Sequence, residues 1–242
     1  MSQQTVLITG ASVRLGRYLA QQLHAGGYRV ITACRTDPAK LDALAKTGIE
    51  IIQADLSTVQ GIDTCIGEVL KRCTSLRALI HNASLWHSDE EASGSMEVLD
   101  AMMRLHIAAP YRMNRELRQL LERDGIGDII HITDYLAHAH AHKHIAYAAT
   151  KAALEHMTRS FAAEFGPGIK VNSIAPGIIS FRDSDSAHFR KRMMAPAVFK
   201  DPPGPQALWD AVSYLMRSDS VTGTCLHVDS GRGLSRGQGA QN

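Results

Sequence analysis

The stretch Thr5-Val6-Leu7-Ile8-Thr9-Gly10-Ala11-Ser12-Val13-Arg14-Leu15-Gly16 decides the fold. Its first five residues are a compact apolar, β-branched run that reads as a strand buried on both faces, and the apolar spacing from Arg14 to Leu23 reads as a helix. Between them Gly10 permits a tight turn out of the strand, and Gly16 lets the helix pack close to the sheet. Ser12, Arg14 and Leu15 stand where a helix start offers free N–H groups to an anion such as a pyrophosphate. A glycine turn alone is a weak signal. Its place after the first strand of an alternating chain gives it weight.

That alternation continues outward. Tyr28–Ala33, Ile49–Gln53, Arg77–His81, Asp128–Thr133, Lys170–Ile174 and Cys225–Val228 read as further strands. Helical periodicity lies between them, around Lys40–Ala45, Gln60–Lys71, Met96–Leu121, Ala146–Phe165 and Pro205–Met216. Strands that are apolar throughout and alternate with helices predict an α/β fold: a single-domain, Rossmann-type doubly wound parallel sheet with helices on both faces. The 242 residues fit one domain, with no linker and no internal repeat. The segment 178–205 is charged, rich in Met and Pro, and without a clear period, so it is expected to be an irregular lid. The tail from 234 is rich in Gly and expected to fray.

Composition narrows the class. Hydrophobic residues make up 45% and charged residues 21%, enough to bury a core. Lys and Arg number 26 against 24 acidic residues, a net charge of +2 with the signs interspersed, which predicts neither a nucleic-acid nor a membrane partner. No apolar run nears the ~18 residues of a membrane span. MSQQTVLITG lacks a basic, then apolar, leader, and Cys34, Cys65, Cys73 and Cys225 form no CxxC pair and read as reduced, buried thiols. The expected compartment is the cytoplasm.

The second strand ends Ala33-Cys34-Arg35-Thr36, where an NAD-specific site usually carries an acid. Arg35 pairs instead with a 2′-phosphate, with a hydrogen bond from Thr36, so NADPH is the expected cofactor. Asp55 and Leu56 follow the third strand, where a carboxylate suits the adenine amino group. Asn82-Ala83-Ser84 follows the fourth and would lie along the cofactor.

Tyr147 and Lys151 lie four apart on a helix and share one face. An ammonium beside a phenol is expected to lower the phenol's pKa and make it a proton donor near neutrality. Any helix can carry YxxxK, but here it stands with the glycine turn and with Asn172-Ser173-Ile174-Ala175-Pro176-Gly177. Together these resemble the short-chain dehydrogenase/reductase superfamily over roughly residues 5–233, which implies that Pro176 and Gly177 also border the cofactor.

Four positions depart from the superfamily pattern. Arg14 replaces a small residue, and Asp134 occupies the usual serine position thirteen residues before Tyr147. Ser84-Leu85-Trp86 places an aromatic after the Asn-Ala segment, and His106 stands where an asparagine is usual. The first three are similar to the pteridine reductases. That resemblance implies that Arg14 and Ser84 contact a pterin, Trp86 stacks on it, and Asp134 works with Tyr147. The stretches Ile132–Tyr135 and Lys143–Ala149, with His106, are similar to a bacterial branch of that group. The resemblance further implies a homo-oligomer, a tetramer, with a small-molecule pterin as substrate.

The chemistry of the residues agrees with this reading. A flat, π-rich pterin suits a tryptophan face, and a buried carboxyl with a raised pKa can accept from or donate to its amide edge. Two rivals remain: a short-chain carbonyl or ketoacyl reductase, and a non-catalytic NADP(H) sensor. A carboxylate at 134 would oppose the oxyanion of carbonyl reduction, and a sensor needs no Tyr147–Lys151 proton donor. His138, His140, His142 and His144 form HxHxHxH. It reads as a mobile loop at the substrate mouth, with His144 nearest the pocket and no metal expected, because structural zinc spacing usually sets ligand pairs apart.

Overall fold

The computed structural model describes residues 3–35, 38–93 and 96–234; Thr36 and the tail 235–242 lie outside them. The chain begins with strand β1 (Thr5–Thr9), helix α1 (Arg14–Ala25), β2 (Arg29–Cys34), α2 (Pro38–Ala45), β3 (Glu50–Gln53), α3 (Val59–Arg72) and β4 (Ala78–His81). There follow α4 (Asp89–Ser93), α5 (Met96–Met103), a π-turn (Arg104–Ala108), α6 (Ala109–Glu116), α7 (Arg118–Leu121) and β5 (Gly127–Ile132). A 3-10 turn (Tyr135–His138) leads to α8 (Ile145–Phe165), β6 (Ile169–Pro176), α9 (Ala187–Met194), α10 (Gly204–Arg217), β7 (Cys225–Val228) and a short 3-10 turn at Arg232–Leu234.

The seven strands form one parallel sheet in the order β3-β2-β1-β4-β5-β6-β7. The order reverses between β1 and β4, and in such sheets the crevice at the carboxyl ends of the strands there receives ligands. Alternation along β1 explains the double winding. Leu7 packs with Ile62 and Val69 of α3, Met113 of α6 and Phe161 of α8 on one face. Val6 and Ile8 pack with Leu19 and Leu23 of α1 and Leu208 and Val212 of α10 on the other. Every residue of β1, β4, β5 and β6 is buried, so these central strands read as largely apolar runs, whereas β3 and β7 at the edges are partly exposed.

Two expectations are corrected. The continuous helix over Met96–Leu121 is broken, with the π-turn just before Pro110. Proline has no N–H to give the carbonyl four residues back, so regular helix fails there and an extra residue is accommodated. The segment 178–205 is not wholly irregular either. Ser186 Oγ accepts from Phe189 N at 3.1 Å and starts the eight-residue helix α9.

Candidate active site

The crevice holds a cavity of about 1080 Å³ whose wall includes Gly10, Arg14, Leu15, Gly16, Asn82, Ser84, Trp86, Asp134, Pro176 and Gly177. A smaller one, about 200 Å³, is lined by Gly10, Ser12, Arg35, Asp55, Leu56, Ala83 and Ser84. Residues far apart in the chain thus meet at the reversal point of the sheet.

The floor of the site is tight. Gly10 has φ +72°, and a Cβ there would stand 2.7 Å from Ala83 Cα; one on Gly16 would stand 2.4 Å from Asn82 Nδ2. Asn82 Nδ2 donates to the carbonyls of Thr9 (2.9 Å) and Gly10 (3.1 Å), and Thr9 Oγ1 accepts from the N–H groups of Asn82 and Ala83. Asn82 therefore ties β4 to the glycine turn, and its amide is occupied by protein. Helix α1 begins after Val13, which supplies no side-chain cap, and its first turn has no acid. Its leading N–H groups are open to an anion. Arg14, at φ 50°, is exposed beside them.

Arg35 lies exposed at the end of β2. Asp55 Oδ1 accepts from Ser57 N (3.0 Å) and Ser57 Oγ (2.7 Å), so one oxygen is committed to its turn. The open helix start, the side-chain-free floor and a cation in place of a β2 carboxylate fit a dinucleotide carrying a 2′-phosphate.

At the other end Tyr147 Oη donates to Asp134 Oδ2 at 3.0 Å, while Asp134 Oδ1 caps the following 3-10 turn by accepting from Leu136 N at 3.0 Å. Tyr147 and Lys151 are 4% and 2% exposed, and Lys151 Nζ donates to Ile132 O at 2.9 Å. Burial raises Asp134 above the usual carboxylate range despite the Leu136 N–H and the Lys151 charge, and lowers Lys151 to about 8. The expected lowering of Tyr147 is corrected. Burial, then the charge and hydrogen bond of Asp134, push the phenol well above its ordinary value. Desolvation outweighs the lysine, so the phenol holds its proton.

Trp86 is 53% exposed and is not a core residue. Its ring lies 4.4 Å from that of Tyr147, edge-on at 67°, and 4.1 Å from the imidazole of His144. Asp89 of α4 fixes this corner. Its carboxylate accepts from Ile145 N (2.9 Å) and Ala146 N (3.1 Å), an external cap on α8.

The sequence marks His106 as a departure from the superfamily pattern and as a likeness to the bacterial branch. In the π-turn it is buried, with Nδ1 2.8 Å from Thr150 Oγ1 and Nε2 3.1 Å from both Ser84 Oγ and Leu85 N. Thr150 Oγ1 already donates to Tyr147 O at 2.7 Å, so Nδ1 carries the hydrogen and Nε2 accepts. Burial, reinforced by Lys151, holds the imidazole neutral. Tyr135 and Arg232 also line the cavity, the guanidinium 5.2 Å from the ring centroid, and neither carried a motif that could have singled it out.

Known proteins resemble the chain over nearly its whole length. Residues 10–232 match the family model described as enoyl-(acyl carrier protein) reductase. The chain is 43% identical over 231 residues to the dihydromonapterin reductase of Escherichia coli O6:K15:H31 (strain 536), covering 95% of this chain and 96% of that one. Among solved structures it is similar to FolM alternative dihydrofolate reductase 1 from Brucella suis in complex with NADP. That match has 25% identity and a TM-score of 0.87, with 96% of each chain covered. A putative betaketoacyl-ACP reductase is 27% identical with a TM-score of 0.83, over 94% of this chain and 97% of that one. With the glycine turn, the Tyr147–Lys151 pair and the seven-stranded parallel sheet, these matches establish that the chain belongs to the short-chain dehydrogenase/reductase superfamily.

Proposed function

We propose that the protein is an NADPH-dependent reductase that converts a 7,8-dihydropterin, of the dihydromonapterin or dihydrobiopterin kind, to the tetrahydropterin. The observation that carries this reading is the 3.0 Å Tyr147–Asp134 hydrogen bond beside the exposed Trp86 ring. The names of the Escherichia coli relative and the Brucella neighbour agree with it. Dihydrofolate contains the same ring and belongs to the same substrate class, as the weaker candidate.

The α1 N–H groups, Ser12 and Arg14 hold the pyrophosphate, and Arg35 holds the 2′-phosphate; Thr36 is assigned to the same phosphate from sequence alone. Asp55 and Leu56 border the adenine, and Asn82-Ala83-Ser84 with Pro176-Gly177 line the path towards the nicotinamide. Held there, NADPH would supply the hydride needed at C6 of the dihydropterin. Trp86 stacks on the pterin, while Arg14, Ser84 and Asp134 read its polar edge. Tyr147 and the raised Asp134 carboxyl hold, between them, the proton that ends on N5. Lys151, buried beneath them, opposes build-up of negative charge as that proton leaves.

Carbonyl reduction, which the ketoacyl-type neighbour would suggest, needs a donor facing the developing oxyanion. Asp134 meets that need poorly. Asp134→Ser is therefore expected to cut kcat/KM for dihydropterin by about 10²-fold or more, the worth of a positioned acid–base group. NADPH affinity and any trace ketone reduction should stay unchanged. Unchanged dihydropterin turnover in this variant would overturn the proposal in favour of a carbonyl substrate.

We further infer a single enzyme domain over residues 1–242, cytoplasmic and assembled as a tetramer. No helix among the described residues is long and apolar enough to cross a membrane, and the four cysteines are free. Residues 178–205, which contribute Ile179, Arg182 and Met193 to the cavity wall, are assigned as the substrate lid.

A further inference from the structure

We propose a second site at the β7 edge of the sheet: a mononuclear site for a borderline divalent cation such as Zn²⁺, held by His138, Cys225 and His227. Period two along a strand puts Cys225 and His227 on one face of β7. β7 pairs with β6 through Ser173↔Cys225 and Ala175↔His227. His138 comes from the far end of the 3-10 turn that Asp134 caps. One ligand atom from each of the three lies within 4.8 Å of the others. His138 Nε2 is 3.9 Å from Cys225 Sγ, and the two imidazole centroids are 4.9 Å apart.

Tetrahedral zinc with the usual Zn–S and Zn–N lengths sets its ligand atoms about 3.5 Å apart. Small rotations of the two exposed rings close the difference, and their exposure gives an ion its path of entry. The site has an acid behind it. Glu155, side chain 4% exposed, places Oε2 3.9 Å from His138 Nε2, and that oxygen accepts from Ser173 Oγ (2.7 Å) and Thr133 Oγ1 (3.3 Å). Arg159, largely exposed, approaches its other oxygen at 3.6 Å. Two imidazoles and a sulfur with a buried carboxylate close by suit zinc-like ions rather than Mg²⁺ or Ca²⁺, which take oxygen ligands. Binding replaces the Cys225 thiol proton with the cation, Cys–SH + M²⁺ → Cys–S–M⁺ + H⁺. Of the histidine tract only His138 takes part, so HxHxHxH is not the ligand set.

The test uses Co²⁺ added to the full chain after chelator treatment, read by absorption. One equivalent is expected to bind, with d–d bands of tetrahedral Co²⁺ and a thiolate-to-cobalt charge-transfer band in the near ultraviolet. Zn²⁺ should displace it and raise Tm. Cys225→Ser should abolish the charge-transfer band. His138→Ala and His227→Ala should each weaken binding by roughly tenfold or more. His140→Ala with His142→Ala should change nothing. His227→Ala, at an exposed edge, serves as the second variant if Cys225→Ser fails to fold. No binding at micromolar Co²⁺, a spectrum without thiolate character, or binding lost only with His140 and His142 would each overturn the proposal.

Discussion

Trp86 is half exposed while its ring rests against His144 in a tilted contact and against Tyr147 edge-on, which suits a stacking platform better than a core side chain. Trp86→Ala should raise KM for dihydropterin by about tenfold and leave the Kd for NADPH unchanged. Equal loss of both, or only a lower Tm, would return the residue to a packing role. Arg35→Asp removes the cation at the end of β2 and adds repulsion there. Steady-state kinetics should show KM for NADPH rising by about tenfold or more while KM for NADH hardly moves. A wild type that already favours NADH would contradict that assignment. Lys151 gives a signature in pH. Its ammonium is lowered to about 8, and in the proposed mechanism its charged form assists proton transfer from Tyr147. The kcat/KM for dihydropterin should therefore fall on a basic limb near pH 8, and a profile flat to pH 10 would exclude this role.

The join between the π-turn and α8 decides how Ser84 and Tyr147 are presented. Thr150 accepts from His106 Nδ1 and so leaves Nε2 to accept from Ser84 and Leu85. Thr150→Val would strand the Nδ1–H in the interior. Urea unfolding should register a loss of about 1–3 kcal/mol, and a neutral result would mean that the imidazole finds another partner. This join also marks how far the sequence could be read. The strands and most helices were legible because each has one period and a core to match, as Leu7 against Val6 and Ile8 illustrates. The residues around the glycine turn and the Tyr147–Lys151 pair could be placed because turns and helical spacing act locally, whereas Asp134 beside Tyr147 was implied only by the family resemblance. The π-turn is not legible in the apolar period, which runs on through Pro110 although that residue interrupts regular helix. Spacing reports the lysine neighbour of Tyr147 but not its burial, so the direction of its pKa shift is not legible in the sequence. Arg232, Tyr135 and the Asp89 cap on α8 reach the site only through tertiary folding.

At the scale of the whole molecule, one chain of polar groups threads the apolar layer between β4, β5, α6 and α8 with its partners supplied. Thr158 donates to Leu154 O, so His131 donates from Nδ1 and accepts from Asn114 at Nε2, and Asn114 Oδ1 accepts from His81. Both imidazoles are buried and neutral, with His81 lowered to about 4 and His131 well below its ordinary value. The unfolded chain takes up these protons first, as pH falls through about 6.5, so stability is present above that point and lost towards pH 4. His81 alone accounts for about 3 kcal/mol by pH 4. Asp128 and Asp134, raised by burial, act in the opposite sense, but His81, His106 and His131 outnumber them. The urea midpoint should fall between pH 7.5 and 5.5, and a rise would contradict the buried neutral chain. The assembled site makes its most direct claim through the wild-type enzyme: NADPH oxidation followed with a 7,8-dihydropterin, dihydrofolate, a simple ketone and a ketoacyl thioester in parallel. The kcat/KM for dihydropterin should exceed that for either carbonyl substrate by about 10²-fold or more, on the scale of one positioned acid–base group. A carbonyl compound turned over faster than any dihydropterin would contradict it.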